Sequence, residues 1–227
     1  MDLITSISAV PLFEGLARDQ HEALSGIAVD QIFKRGRTIF SEDEEATGFY
    51  VVISGRVKIF KLSPDGKEQI LHIVGPGESF GEVAVFAGQH FPAHSETIEE
   101  SRIFFFPRSD FIDLIKKNPL LAMNMLAVLS HRLRRLTVLI DSLSLKEVPG
   151  RLAAYLLYLS GQKSAGNDLS LDITKGQLAG LLGTIPETLS RILAKMVKQN
   201  LIQTDGRRIT IVDRQGVEEL AEGQRRL

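Results

Sequence analysis

The sequence predicts an α+β chain: a small β-roll of jelly-roll type in the N-terminal half, one long helix after it, and a helical C-terminal third that closes on a β-hairpin. Three patterns lead there. Between Gln31 and Pro107 apolar residues recur with period two and are punctuated by glycine turns, as many short strands of a roll require. From Pro119 the leucines take up the spacing of a helix seam. Past Lys146, two capped helical segments follow one another closely before a final turn. The domains that result are 1–118, 119–145 and 146–227.

Each element has its own signal. In residues 1–30, Leu12, Phe13, Leu16, Leu24 and Ile27 fall at roughly helical intervals and predict short helices. Tyr50-Val51-Val52-Ile53 reads as a strand that turns at Ser54-Gly55 and resumes with Val57, Ile59 and Phe60. Pro64-Asp65-Gly66 is a hairpin turn with Ile70, Leu71 and Ile73 on its far side. Gly75-Pro76-Gly77 is another turn, and Ile103 to Phe106 is a further strand.

Pro119 suits a first helical turn. Leu126, Leu129, Leu133, Leu136, Ile140 and Leu143 then recur at steps of 3, 4, 3, 4, 3, an a/d heptad seam. Such a stripe either packs within its own domain or meets a second copy. The even repeat and the flanking Arg132, Arg134 and Arg135 favour a dimerising coiled coil, with a hinge from Ser142 to Pro149.

The last third reads helix, helix, helix, hairpin. Gly150 to Ser160 is an apolar helix. Thr174-Lys175-Gly176-Gln177 fits a capping box, and its helix ends near Gly183. Thr184-Ile185-Pro186-Glu187 offers a second box with proline in the first turn, for a helix reaching about Gln199. Leu201-Ile202, the turn Asp205-Gly206, and Ile209 with Ile211 form the hairpin. This order is that of a winged helix-turn-helix.

Composition narrows the function. No apolar run is long enough to span a bilayer, and Met1 to Phe13 lacks a basic leader, so a cytoplasmic protein without membrane contact is expected. The absence of cysteine excludes disulfides, thiolate zinc sites and cysteine-held iron–sulfur clusters. The net charge of −1 divides unevenly: 12 basic against 18 acidic residues in 1–118, 3 against 1 in 119–145, and 12 against 9 in 146–227. The basic excess lies where a polyanion would be met.

On a helical wheel from Pro186 to Gln199, Leu189, Ile192, Leu193, Met196 and Val197 form one apolar side, while Glu187, Ser190 and Arg191 lie opposite near the start. A recognition helix aims such residues at base edges: arginine donates twice to guanine, and glutamate accepts from cytosine N4. Lys175, Thr184 and Thr188 are placed to hold phosphates. A solvated polar face would look the same on an isolated helix; the capped helix, glycine turn and hairpin around it set it apart.

The stretch from Ile173-Thr174-Lys175-Gly176-Gln177 through Glu187-Thr188-Leu189-Ser190-Arg191 to Asn200-Leu201-Ile202 resembles the helix-turn-helix of CRP/FNR regulators, and Phe80-Gly81-Glu82-Val83-Ala84 resembles that family's ligand cassette. The resemblance covers nearly the whole chain. It implies a cyclic-nucleotide-binding-like β-roll, a homodimer, double-stranded DNA and RNA polymerase as partners, and no enzymatic activity. Glu187, Ser190 and Arg191 resemble the FNR type, which implies half-sites beginning TTG; Pro186 stands where CRP has a base-reading arginine.

The effector pocket implied is Gly81, Glu82, Val83, Phe91, Pro92 and Ala93, with Val85 and Phe86 beside it. Cyclic-AMP binders place Arg-Ser where Pro92-Ala93 stands here, and a buried phosphate needs that charge-assisted partner. Cyclic AMP is therefore not expected. Phe91-Pro92-Ala93, the missing cysteines, Leu143-Ser144-Leu145-Lys146 and Pro186-Glu187-Thr188 resemble the DNR and HcpR groups, which implies a nitric oxide or nitrosative-stress signal taken through non-covalent heme. His21, His72, His90, His94 and His131 are the available imidazoles. The alternative within the family is a regulator answering a cyclic nucleotide or another small molecule. A cupin-type metalloenzyme would need clustered histidine and carboxylate ligands, which the sequence does not display, and no metal site is expected. A cyclic-nucleotide module without DNA would have no use for Glu187 to Arg191.

Overall fold

A computed structural model describes residues 3–82, 86–88, 90–162 and 167–227, apart from the side chains of Arg132, Arg135, Val138, Leu139, residues 141–145 and Gln162. It divides into two compact units, Met1–Lys67 with Leu71–Arg134, and Glu68–Ile70 with Arg135–Leu227.

The first unit opens with α1 (Leu3–Ser8), a 3-10 turn at Pro11–Phe13 and α2 (Arg18–Ile27). Eight strands follow: β1 (Val29–Phe33), β2 (Thr38–Phe40), β3 (Gly48–Ser54), β4 (Val57–Leu62), β5 (Glu68–Val74), β6 (Ser79–Phe80), β7 (His94–Thr97) and β8 (Ser101–Pro107). They form two four-stranded sheets, β1-β8-β3-β6 and β2-β7-β4-β5, as the roll requires. Then come α3 (Arg108–Lys117) and the long α4 (Pro119–Leu145).

Strands β3 and β8 are apolar at nearly every position because both faces of their sheet are covered. Phe49, Val51, Phe104 and Phe106 pack against Phe13, Leu24, Phe111, Leu121 and Met125 of the helices. From the opposite face, Val52 and Ile103 meet Phe40, Val57, Val74, Phe80 and Phe91 inside the roll. The antiparallel register, Phe49 opposite Phe106 and Val52 opposite Ile103, fixes that alternation. Gly48 has no substitute here: a Cβ would run into the Phe106 carbonyl and the Phe105 ring.

The second unit comprises α5 (Val148–Gln162), β9 (Asp168–Ser170), α6 (Lys175–Leu181), α7 (Pro186–Lys198), β10 (Ile202–Asp205), β11 (Arg208–Ile211) and α8 (Arg214–Ala221). Its sheet runs β10-β11-β9. Leu178, Leu189, Met196, Leu201 and Val217 are fully buried at its centre.

Helix α4 carries the predicted seam. Leu126, Leu133, Leu136 and Ile140 are exposed on the single chain, and Leu129 is half-buried; the Leu143 side chain lies outside those described. Four of the six seam residues thus stand open on the single chain. Within the span expected as a hinge, Ser142 to Pro149, α4 continues to Leu145 and α5 begins at Val148, leaving Lys146 and Glu147 between them. Among the described residues no helix is long and apolar enough to cross a membrane.

Candidate functional site

Helix α6 starts as its sequence predicts. Thr174 Oγ1 accepts the Gln177 backbone N–H at 3.2 Å, and Gln177 Oε1 accepts the Thr174 N–H at 2.8 Å. The chain then turns through Gly183, at φ +65°, and the Thr184 N–H donates to the Ala179 carbonyl at 2.9 Å. The second capping box does not form. The residue flanking α7 is Ile185, not Thr184, and no side chain caps that helix. Pro186 accounts for the shift: it occupies the first helical position and drives the preceding residue into extended backbone, here φ −106° and ψ 154°.

On α7, Leu189, Ile192, Leu193 and Met196 are buried, while Glu187, Ser190 and Arg191 are exposed together, as the wheel predicts. Val197, assigned to the apolar side, is instead 38% exposed. Thr188 Oγ1 accepts from Arg191 Nη2 at 3.1 Å, which steadies the guanidinium on the exposed face and leaves the threonine O–H as a donor. Thr184 is half-buried in the turn, and Lys175 is exposed at the start of α6.

A cleft of about 600 Å³ joins two of the predicted residues, Lys175 and Ser190, to the hairpin, and is lined also by Thr174, Ala194, Thr204 and Arg207. Sequence reasoning did not single out Thr204, Arg207 or Arg208. Their signal was the tight Asp205-Gly206 turn followed at once by two arginines, which sets cations at the tip of a hairpin beside α7.

In the first unit the predicted pocket residues come together only in part. Gly81 holds φ +76°, and a Cβ there would press on the Phe91, Phe40 and Tyr50 rings. Phe91 is 2% exposed and stacks on Phe40 with ring centroids 3.7 Å apart. Tyr50 and Phe80 complete the cluster, stacked at 5.2 Å. Burial, with the nearby Glu44 carboxylate, pushes the Tyr50 phenol up to about 12, so it stays neutral. Glu82 is buried and accepts from the Ser79 hydroxyl at 2.6 Å. Ala93 is buried and Pro92 exposed; Val83 and Val85 lie outside the described residues. Phe86 is 49% exposed and does not line the interior.

A cation does reach this place from elsewhere in the sequence. Lys61 Nζ donates to the Pro92 carbonyl at 3.0 Å, but it is also bound to the Glu42 carboxylate, so the pair is neutral. Among the imidazoles, His94 is engaged at both ring nitrogens: Nδ1 accepts the Glu42 N–H at 3.1 Å and Nε2 lies 3.6 Å from Glu42 Oε2. His21 Nε2 is 3.1 Å from the Phe13 carbonyl, and His72 Nε2 is 3.8 Å from Glu78. His90 and His131 are exposed. No group of three or more metal-binding side chains occurs among the described residues.

Two domain families match the chain: a cyclic nucleotide-binding domain over residues 30–118 and a Crp-like helix-turn-helix domain over residues 150–220. The CRP-like cAMP-activated global transcriptional regulator of Mycobacterium tuberculosis is 32% identical over 206 residues, 89% of this chain and 92% of that protein. The cyclic AMP receptor protein of Thermus thermophilus is 31% identical over 213 residues, 94% of this chain and 97% of that protein. Among solved structures, FixK2 from Bradyrhizobium japonicum superposes with a TM-score of 0.73 at 26% identity, covering 86% of this chain and 97% of that one.

Proposed function

Since the chain belongs to the CRP/FNR family of transcription regulators, which are not enzymes, we propose that it binds an inverted-repeat promoter site as a homodimer and there meets RNA polymerase. The carrying observation is the joint exposure of Glu187, Ser190 and Arg191 on the first half of α7, a helix whose start is pinned by a capped neighbour and a tight turn. Selection from random DNA tests it. The enriched site should be an inverted repeat with TTG-type ends and half-sites about 34 Å apart, one helical turn. Arg191→Ala should lose about 1–3 kcal/mol and relax the preference at one guanine, while Lys175→Ala should weaken all sequences alike and lower the salt slope by about 1. Unchanged discrimination in Arg191→Ala would mean that α7 is not the reading helix.

For the signal we propose nitric oxide or nitrosative stress, taken through heme, as in the DNR and HcpR groups. Three features support the reading. Pro92 and Ala93 stand where a phosphate-binding pair would be, Lys61 is neutralised by Glu42, and the interior beside Gly81 is lined by Phe40, Tyr50, Phe80 and Phe91. The lining suits a flat apolar group in chemistry. It does not yet suit one in volume, because the Phe40 and Phe91 rings touch, and they must part to admit it. His90, exposed and adjacent to Phe91 in sequence, would be the imidazole to hold the iron. Heme, when bound, would supply an iron that takes nitric oxide; the rings would exclude water around it. The effector acts on DNA affinity only by its differential affinity for two states of the protein.

A second reading has its own support: Gly81 and Glu82 are retained, and two of the relatives are named for cyclic AMP. One pair of titrations separates the readings. Heme should bind saturably, with a Soret band that shifts on adding nitric oxide and changes in His90→Ala, and millimolar cyclic AMP should leave operator affinity unchanged. Tight cyclic-AMP binding by calorimetry would replace heme with the nucleotide. A heme titration without a saturable site would remove heme and leave the DNA-binding regulator intact.

A further inference from the structure

We propose that Ile185 reads a thymine in the half-site through the base's C5-methyl group, a specificity contact beside the polar set on α7; the inference rests on α7 being the reading helix. Two adjoining helices of one motif begin differently. Helix α6 starts at a threonine that forms a full capping box, whereas α7 starts at an isoleucine with no side-chain cap. Flanking positions of this kind favour serine, threonine, aspartate or asparagine, and an aliphatic residue there leaves first-turn N–H groups unsatisfied. A hydroxyl was within reach in sequence, but Thr184 sits one residue too early and half-buried. Ile185 is also 47% exposed, so nearly half of its surface is left for a partner to cover. The helix thus gives up a cap and keeps an apolar side chain in water, at the end from which Glu187 reaches out.

The chemistry of the groove supplies a counterpart. Among the base edges of the major groove, the thymine methyl is the apolar group, and aliphatic side chains recognise it by contact. Ile185 is suited to that contact by stiffness. Its β-branched side chain has few rotamers, and Pro186 confines its backbone to the extended region it occupies. The Gly183 turn and the bond from the Leu189 N–H to the Ile185 carbonyl, 3.0 Å, fix it relative to Glu187, Ser190 and Arg191. Little freedom remains to be lost on binding.

The test removes the methyl group alone. In the selected operator, each thymine is replaced in turn by deoxyuridine, in both half-sites, and affinity is measured by fluorescence anisotropy for the wild type and for Ile185→Ser. Serine removes the apolar contact and supplies a cap, so Ile185→Ser should melt no lower than the wild type. At one thymine position the wild type should lose about fourfold in affinity per half-site, the effect of one buried methyl group. Ile185→Ser should show no loss at that position and unchanged losses elsewhere. Equal deoxyuridine effects in the two proteins at every position overturn the proposal while leaving α7 as the reading helix. A wild type that selects no sequence at all overturns both.

Discussion

Replacing Leu133 and Leu136 together by lysine is expected to convert the protein to monomers. The two side chains are 68% and 38% exposed on the single chain, on a stripe of α4 that also carries Leu126 and Ile140. In a parallel two-stranded seam each would be buried against its symmetry mate. Only the part of each side chain still exposed on the single chain, about half, is left to bury at the seam, so the four leucines remove on the order of 4 kcal/mol, at about 1 kcal/mol each, which is roughly a thousandfold in the dimer Kd. Four ammonium groups brought together add to that loss. Sedimentation equilibrium should show a single species near the 25.1 kDa chain mass, with helix content by circular dichroism unchanged. Operator affinity should fall with it, because a monomer meets only one half-site. A double variant that stays dimeric would place the interface somewhere other than α4.

The second large effect lies in the core of the first unit. Phe49→Ala should destabilise it by about 3–5 kcal/mol, the usual loss for a buried phenylalanine. Phe49 is wholly buried, stacked on Phe106 at 5.0 Å between centroids and edge-on to Phe111 at 4.6 Å, so it joins the sheet to the helices. The surrounding rings are too large to collapse into the space it leaves. Ile32→Ala is the control: that side chain is 73% exposed on an edge strand and should change stability by less than about 0.5 kcal/mol. Urea unfolding of the two variants measures the difference. A loss below 1 kcal/mol for Phe49→Ala would contradict the packing of helices on this sheet.

What the sequence made legible, and what it hid, follows from where hydropathy carries the information. The strands around Val51 and Phe104 and the long helix stand out because apolar spacing specifies them, and the two helices of the helix-turn-helix because cap and turn residues add to it. Strand β7 does not: His94-Ser95-Glu96-Thr97 looks like loop, yet Ser95 and Thr97 are fully buried. Their hydroxyls take the place of apolar groups by bonding backbone, Ser95 Oγ accepting the Phe40 N–H at 3.1 Å and Thr97 Oγ1 donating to the Lys34 carbonyl at 2.7 Å. Helix α8 was missed because Gly216 sits inside it. The reason is packing: a Cβ there would collide with the Asp213 carboxylate, whose Oδ1 caps the helix through the Gly216 N–H at 2.9 Å. The pairing of Lys61 with Glu42 and Pro92 spans 19 and 31 residues, a distance over which no local pattern operates. At α7 the exposed residue types were legible but the cap was not, since Thr184 and Ile185 compete for one position and only the proline decides.

Strands β3 and β8 form a partition one residue thick. On one side of it stand Val52 and Ile103 with the Phe40–Phe91 stack, and on the other Phe49, Val51, Phe104 and Phe106 with Leu121 and Met125 of α4. Neighbouring residues of the same strand thus belong to opposite compartments, and their Cα atoms cannot move apart. A change of volume in the inner compartment must tilt or shift backbone that also holds the foot of α4, because a close-packed interior has no slack to absorb it. The packing of the inner compartment and the footing of the long helix therefore draw on one set of strand positions. Phe91, packed in one cluster with Val52 and Ile103, is under the same constraint: a substitution there that changes volume presses on the partition.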